Sequence, residues 1–145
     1  MKGLVQRVES ASVSINEETV ASIDSGILLL LGVEKDDGGL QIQKMARKVF
    51  NLRIFTDTDG KMNKSLSDIN GELLVVSQFT LVADTTKGNR PGFSKGATPA
   101  HGEFIYSAFI KHVSTEFSEC QSGVFGADMA VKLVNDGPVT FWIET

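Results

Sequence analysis

At 145 residues the chain is sized for one domain, spanning 1–145, with room for a substantial core. Its 41% hydrophobic and 22% charged residues are ordinary for a soluble globular protein, and its longest apolar run, Ile27 to Leu31, is too short to cross a bilayer, so no membrane partner is expected. A net charge of −4 argues against a broad phosphate-binding face, where affinity comes from many Lys and Arg contacts, but leaves room for a small basic patch that grips one RNA end.

The opening Met1-Lys2-Gly3-Leu4 has one lysine and no sustained apolar segment, so no signal peptide is expected. From Leu4 to Ile15 the chain includes an alternation of Ala11, Val13 and Ile15 against Ser10, Ser12 and Ser14, the mark of a half-exposed strand. Asn16-Glu17-Glu18 supplies a turn, and Thr19 to Ile23 can return antiparallel. After the turn Asp24-Ser25-Gly26, Ile27 to Val33 reads as a central strand covered on both faces. Glu34 to Gly39 is a polar loop. Leu40 to Phe50 then changes period, placing Ile42, Met45, Ala46, Val49 and Phe50 on one helical stripe.

Leu52 to Phe55 is short and strand-like, and Asp57 to Asn70 is polar and turn-rich. Asp57-Thr58-Asp59-Gly60 hints at a calcium loop. The first ligand position would be Phe55, however, and no glutamate stands at the closing position, Leu66, so the segment is expected to be a solvated loop. Leu73 to Val76 reads as a buried strand that ends by carrying Ser77, Gln78 and Thr80 out of the core. Hydroxyl and amide groups there must find partners or line a cleft.

Val82 to Thr98 is a long loop that holds Lys87, Arg90 and Lys95 within nine positions, the available basic patch. Thr98 and Pro99 suit the cap and first position of a second helix, running to about Phe117 with Phe104, Ala108, Phe109, Val113 and Phe117 as its buried stripe. Ser122 to Phe125 and Met129 to Val134 read as strands joined by Gly126-Ala127-Asp128. Gly137-Pro138 is most simply a turn between two further strand-like runs.

Familiar catalytic groupings are missing from this pattern. His101 and His112 lie about three turns apart on one helix, too far to share a metal, and a single cysteine makes no zinc pattern. Neither a metal nor an organic cofactor is expected. Cys120 has no partner for an internal disulfide, which favours a reducing, cytoplasmic setting, and Glu119 beside it disfavours a thiolate. An enzyme without a nucleophile–base pair would work by positioning and by backbone donors. A Gly-Pro pair suits such a role, because it presents two carbonyl oxygens with few competing donors and no side chain on its first residue.

Ser77-Gln78-Phe79-Thr80-Leu81 together with Asn135-Asp136-Gly137-Pro138-Val139-Thr140 resembles the signature pair of the D-aminoacyl-tRNA deacylases. Val5-Gln6-Arg7-Val8, Arg90-Pro91-Gly92-Phe93-Ser94 and Phe125-Gly126-Ala127-Asp128-Met129 are similar to that family too, so the likeness runs along the whole chain; Gly92 is a mild departure from it. The resemblance implies a strand-rich α+β fold (α/β in the broad sense), with barrel-like sheets and two main helices, forming a homodimer with its active site at the interface. The implied reaction is hydrolysis of the ester between a D-amino acid, or glycine, and the terminal adenosine of tRNA. It makes a cis Gly137-Pro138 the chirality filter, inserted into the other subunit and oriented by Arg7. It places Ser77, Gln78, Phe79 and Thr80 at the scissile ester, with Phe125 and Met129 in the pocket. The terminal 2′-hydroxyl assists, so Thr80 is expected to position rather than attack. Two other readings stay open: a relative that removes L-alanine and has a trans Gly-Pro bond, and a tRNA 3′-end-binding module without hydrolysis.

Overall fold

A computed structural model describes residues 1–145. Eight strands, three helices and a single 3₁₀ turn follow in the order β1 (Lys2–Ile15), β2 (Glu18–Ile23), β3 (Gly26–Gly32), α1 (Gly39–Asn51), β4 (Phe55–Thr56), β5 (Met62–Lys64), α2 (Leu66–Ile69), β6 (Glu72–Ser77), the 3₁₀ turn Phe79–Val82, α3 (Pro99–Glu116), β7 (Cys120–Ser122) and β8 (Ala130–Glu144). The domain is α+β, with α1 and α3 as its two main helices.

The main sheet runs β2-β1-β3-β6-β7, and β8 adds to the free side of β1. Strand β1 is shared. Its first half pairs with β3, its second half with β2, and β8 accompanies it from Lys2 to Ser14, all antiparallel. One long strand serving three neighbours curls the sheet into a barrel-like form. Parallel pairing of β3 with β6, and of β6 with the short β7 beyond it, explains why β3 and β6 are apolar runs: both their faces are covered. Ile27, Leu29, Leu73 and Val75 join the larger core under α1 and α3, while Leu28, Leu74 and Val76 turn the other way and pack with Val8, Val13 and Ile23.

Helix α1 buries the five residues its periodicity marks. Helix α3 is rotated from its expected setting: it buries Gly102, Ile105, Tyr106, Phe109 and Val113, and Phe104 is 69% exposed. The large aromatics misled the stripe, because Gly102 and Tyr106 define the packed face. The 57–70 segment is not simply a solvated loop. It forms β5 and the one-turn α2, whose Ser65 and Asp68 make reciprocal capping bonds and whose Leu66 is fully buried. Toward the C-terminus the expected strand at 122–125 is β7, set earlier at Cys120–Ser122. The Gly137-Pro138 turn between strands is instead an interruption within the single strand β8. No helix is long and apolar enough to cross a membrane.

Candidate active site

A cleft of about 490 Å³ opens where β6 ends. Its floor is Val76, Ser77, Gln78 and Phe79. One wall is the start of α3, from Ala97 to Pro99 with Gly102, and the other runs from Phe125 to Met129. Glycines make this shape possible. A Cβ on Gly102 would stand 3.2 Å from Phe125 Cζ, and one on Gly123 would stand 2.8 Å from Met129 Sδ, so both absences seat a wall side chain. Phe125 also packs on Tyr106, ring centres 5.8 Å apart, and the buried Tyr106 hydroxyl lies 3.0 Å from Val75 O and 3.1 Å from Gly123 O. Burial pushes that phenol well above its ordinary pKa, so it stays a neutral donor tying the floor to the wall.

The floor changes conformation within a few residues. Gln78 N–H donates to Leu31 O at 2.8 Å, the last rung of the β3–β6 pairing, and the chain then tightens into the 3₁₀ turn. As the first two residues of that turn, Phe79 and Thr80 have N–H groups with no partner inside it. Gln78 Nε2 donates to Thr80 Oγ1 at 2.5 Å. Thr80 itself is exposed and does not line the cleft, so among the sequence-predicted floor residues Ser77, Gln78 and Phe79 come together and Thr80 lies just outside. Asp128 is the sole ionisable side chain in the cleft lining. The histidines are engaged elsewhere: His101 Nε2 is 3.0 Å from Asp37 O, and His112 faces Glu116 at 3.6 Å. Cys120 is held above its ordinary pKa by burial rather than by Glu119.

Gly137 and Pro138 are exposed, joined by a cis peptide bond, and absent from the cleft of their own chain. Between the pairs Gln6↔Thr140 and Val8↔Asn135, β1 advances two residues while β8 advances five, so the corner is a large bulge with Arg7 opposite it. Arg7 is 7% exposed. Its Nε donates to Asp136 O at 3.0 Å and pairs with Asp136 Oδ2 at 3.0 Å, while Nη1 donates to Ile54 O at 2.5 Å.

Asn135 closes the bulge from the other side, a role that sequence reasoning did not assign. Its Oδ1 accepts from Val139 N–H at 2.6 Å, and its Nδ2 lies 3.1 Å from Val139 O, Gln6 Oε1 and Thr140 Oγ1. An asparagine just before Asp-Gly-Pro was the available signal, since its side chain bonds nearby backbone readily. Gly137 has φ +144, a conformation that side chains rarely adopt.

Comparison with known proteins identifies the family. Residues 4–144 match the family model described as D-Tyr-tRNA(Tyr) deacylase. The chain is 57% identical over 141 residues to a D-aminoacyl-tRNA deacylase of Alteromonas mediterranea, covering 97% of each chain. It is 52% identical over its full length and that of its relative to the protein of that name from Stutzerimonas stutzeri. Among solved structures, one described as c-Myc DNA Unwinding Element Binding Protein superposes with a TM-score of 0.96 at 40% identity, covering 100% of this chain and 99% of the other. A second, described as a probable eukaryotic D-amino acid tRNA deacylase, superposes with a TM-score of 0.83 at 17% identity over 98% of both and shares the fold. With a whole-chain family match, relatives above half identity and the Ser77–Leu81 and Asn135–Thr140 segments each built into a defined corner, this chain belongs to the D-Tyr-tRNA(Tyr) deacylase family.

Proposed function

We infer that the protein hydrolyses the ester joining a D-amino acid to the terminal adenosine of tRNA, releasing the free D-amino acid and tRNA. The observation that carries this reading is the full-length family match to relatives named for that activity. The site suits the reaction. Ser77, Gln78 and Phe79 form the floor that faces the scissile carbonyl, and the Phe79 N–H, joined by that of Thr80 just outside the lining, takes the negative charge that develops on its oxygen. Water attacks the carbonyl carbon, the bond to the ribose oxygen breaks, and that oxygen leaves with a proton. With Asp128 as the one ionisable side chain in the cleft lining, the adenosine 2′-hydroxyl helps deliver the water. Thr80 positions the Gln78 amide and is not the nucleophile.

The working unit is a homodimer in which Gly137 and Pro138 of one copy enter the cleft of the other. Support comes from the corner's exposure and its absence from its own cleft. Arg7 and Asn135 fix the direction in which it projects. The Gly137 and Pro138 carbonyls hold the substrate ammonium, and the rigid backbone occupies the space an L side chain would need. Phe125 and Met129 close the pocket around the substrate. Rejection by backbone does not depend on which D side chain is present, so the enzyme accepts D-amino acids broadly, together with glycine, including glycine mischarged on the alanine tRNA. Steric exclusion of this kind discriminates more sharply than attraction by burial, where one methylene is worth about 1–3 kcal/mol. The setting is the cytoplasm, consistent with one unpaired cysteine.

Deacylation of D-Tyr-, D-Asp-, glycyl- and L-Tyr-tRNA tests the reading. Turnover of the first three with the L ester spared is expected; equal turnover of the L ester would refute it.

A further inference from the structure

Beside the mouth of the cleft stand two exposed aromatic rings that the ester chemistry does not use as a pair. Phe79 is 64% exposed and Phe93 43%, and their ring centres lie 5.1 Å apart at an interplanar angle of 45°. Phe79 forms part of the cleft floor, whereas Phe93 lies outside it, so the pair extends an apolar surface away from the reaction centre. Burying either ring in this chain's own core would have removed it from water at a gain; instead both are displayed.

The segment that carries Phe93 also carries the free positive charge of this region. Asp84 and Gly92 bond each other's backbone in both directions, at 2.7 and 2.9 Å, closing a loop whose tip holds Lys87 and Arg90. Asp84 Oδ1 braces the same loop by accepting from Thr86 N–H at 3.0 Å and from its hydroxyl at 2.6 Å. Beyond Phe93, Lys35 N–H donates to Lys95 O and Gly96 N–H to Phe93 O, fixing where Lys95 leaves the backbone. Lys87, Arg90 and Lys95 are exposed, and none forms an ion pair with a carboxylate. Three cations outside any ion pair, on the segment that carries Phe93, form a local exception to the acidity of a chain of net charge −4.

Exposed apolar rings on a segment that also displays cations fit one ligand chemistry: a single-stranded nucleotide, whose base stacks on the rings while its phosphate meets the charges. We propose that Phe79 and Phe93 are a stacking platform for the unpaired nucleotide that precedes the terminal adenosine of tRNA, and that Lys87, Arg90 and Lys95 take the adjoining phosphates. The inference rests on the tRNA-ester reading above. It adds a docking site upstream of the ester, one that separates a tRNA-borne ester from the same ester on a lone nucleoside.

The test compares kcat/KM on D-Tyr-tRNA with kcat/KM on the D-tyrosyl ester of adenosine, for wild type, Phe93→Ala and Phe93→Trp. Sedimentation of each variant checks its assembly. Phe93→Ala is expected to lower the tRNA-to-adenosine ratio about tenfold, and Phe93→Trp to restore it, since any aromatic face can stack. An unchanged ratio overturns the proposal. So does an equal loss on both substrates, or dissociation of the assembly, which would make the rings a contact between copies. Binding of uncharged tRNA, intact or trimmed of its unpaired 3′ nucleotides, separates this idea from the hydrolytic one. Should wild type hydrolyse neither ester, a tenfold preference for intact tRNA that vanishes in Phe93→Ala would still support the platform, and no preference would end it.

Discussion

Arg7 grips Asp136 twice, once through its backbone carbonyl and once through its carboxylate, both at 3.0 Å from the same Nε. The pair crosses from β1 to β8 immediately before Gly137, so the guanidinium sets the line along which the corner leaves the sheet. Hydrogen bonds to a charged group are worth about 1.5–3 kcal/mol each. Arg7→Ala should therefore lower kcat/KM for D-Tyr-tRNA by about 10- to 100-fold and raise the relative rate on L-Tyr-tRNA. Arg7→Lys should recover little, because one ammonium cannot reproduce bonds to both Ile54 O and Asp136. Steady-state kinetics on both esters checks this; rates within twofold of wild type would show that Arg7 does not orient the corner.

At Gly137 the smallest change is the sharpest. A Cβ there would lie 2.6 Å from Val139 Cγ2 and 2.8 Å from Val139 N, at a φ of +144. Gly137→Ala should displace the corner and reduce turnover on the order of 100-fold, with the fold losing only about 1–3 kcal/mol. Single-turnover deacylation, read beside a thermal melt, separates the two effects. Full activity in this variant would exclude the corner from the reaction.

Gly26 makes a contrasting case, in which stability fails first. It pairs with Glu72 at the start of the β3–β6 ladder, and an added Cβ would stand 2.7 Å from both Glu72 N and Glu72 C, all backbone that cannot swing aside. Gly26→Ala should cost on the order of 3–5 kcal/mol, the range of large backbone clashes. Urea unfolding measures it, and a midpoint unchanged from wild type would mean the two strands separate freely.

The cap of α2 should respond to acid. Ser65 donates to Asp68 from its N–H at 2.9 Å and from its hydroxyl at 2.8 Å, holding the carboxyl below its ordinary range. A folded pKa lower than the unfolded one gives stability that is present above the ordinary carboxylate range, about 3.9 for Asp, and is lost as pH falls through the lowered folded value. Melting temperatures taken from neutral pH down to about 2.5 should thus fall less steeply in Asp68→Asn than in wild type. Parallel curves would remove Asp68 from the acid response.

The strands β3 and β6 were legible because local chemistry dictated them, and the two motifs because they resemble a known family. Ile27–Val33 and Leu73–Val76 are apolar throughout, and only a strand covered on both faces fits them. What the sequence hid was set by partners far along the chain. The rotation of α3 follows from the buried Tyr106 hydroxyl reaching Val75 O and Gly123 O, and no periodicity within the helix reveals that. The short turn α2 was concealed by polar neighbours around one buried leucine. Gly137-Pro138 looked like a turn because Gly-Pro usually is one; its place inside β8 depends on Val8 and Gln6 pairing on either side of it.

That placement decides how firmly the corner is held. A hairpin tip can gain or lose residues without disturbing the strands that carry it. A corner set in the middle of a fifteen-residue strand has paired rungs before and after it, so it is anchored to the sheet at both ends. On the proposed reading, handedness is read by a corner whose two ends are both anchored in the same sheet.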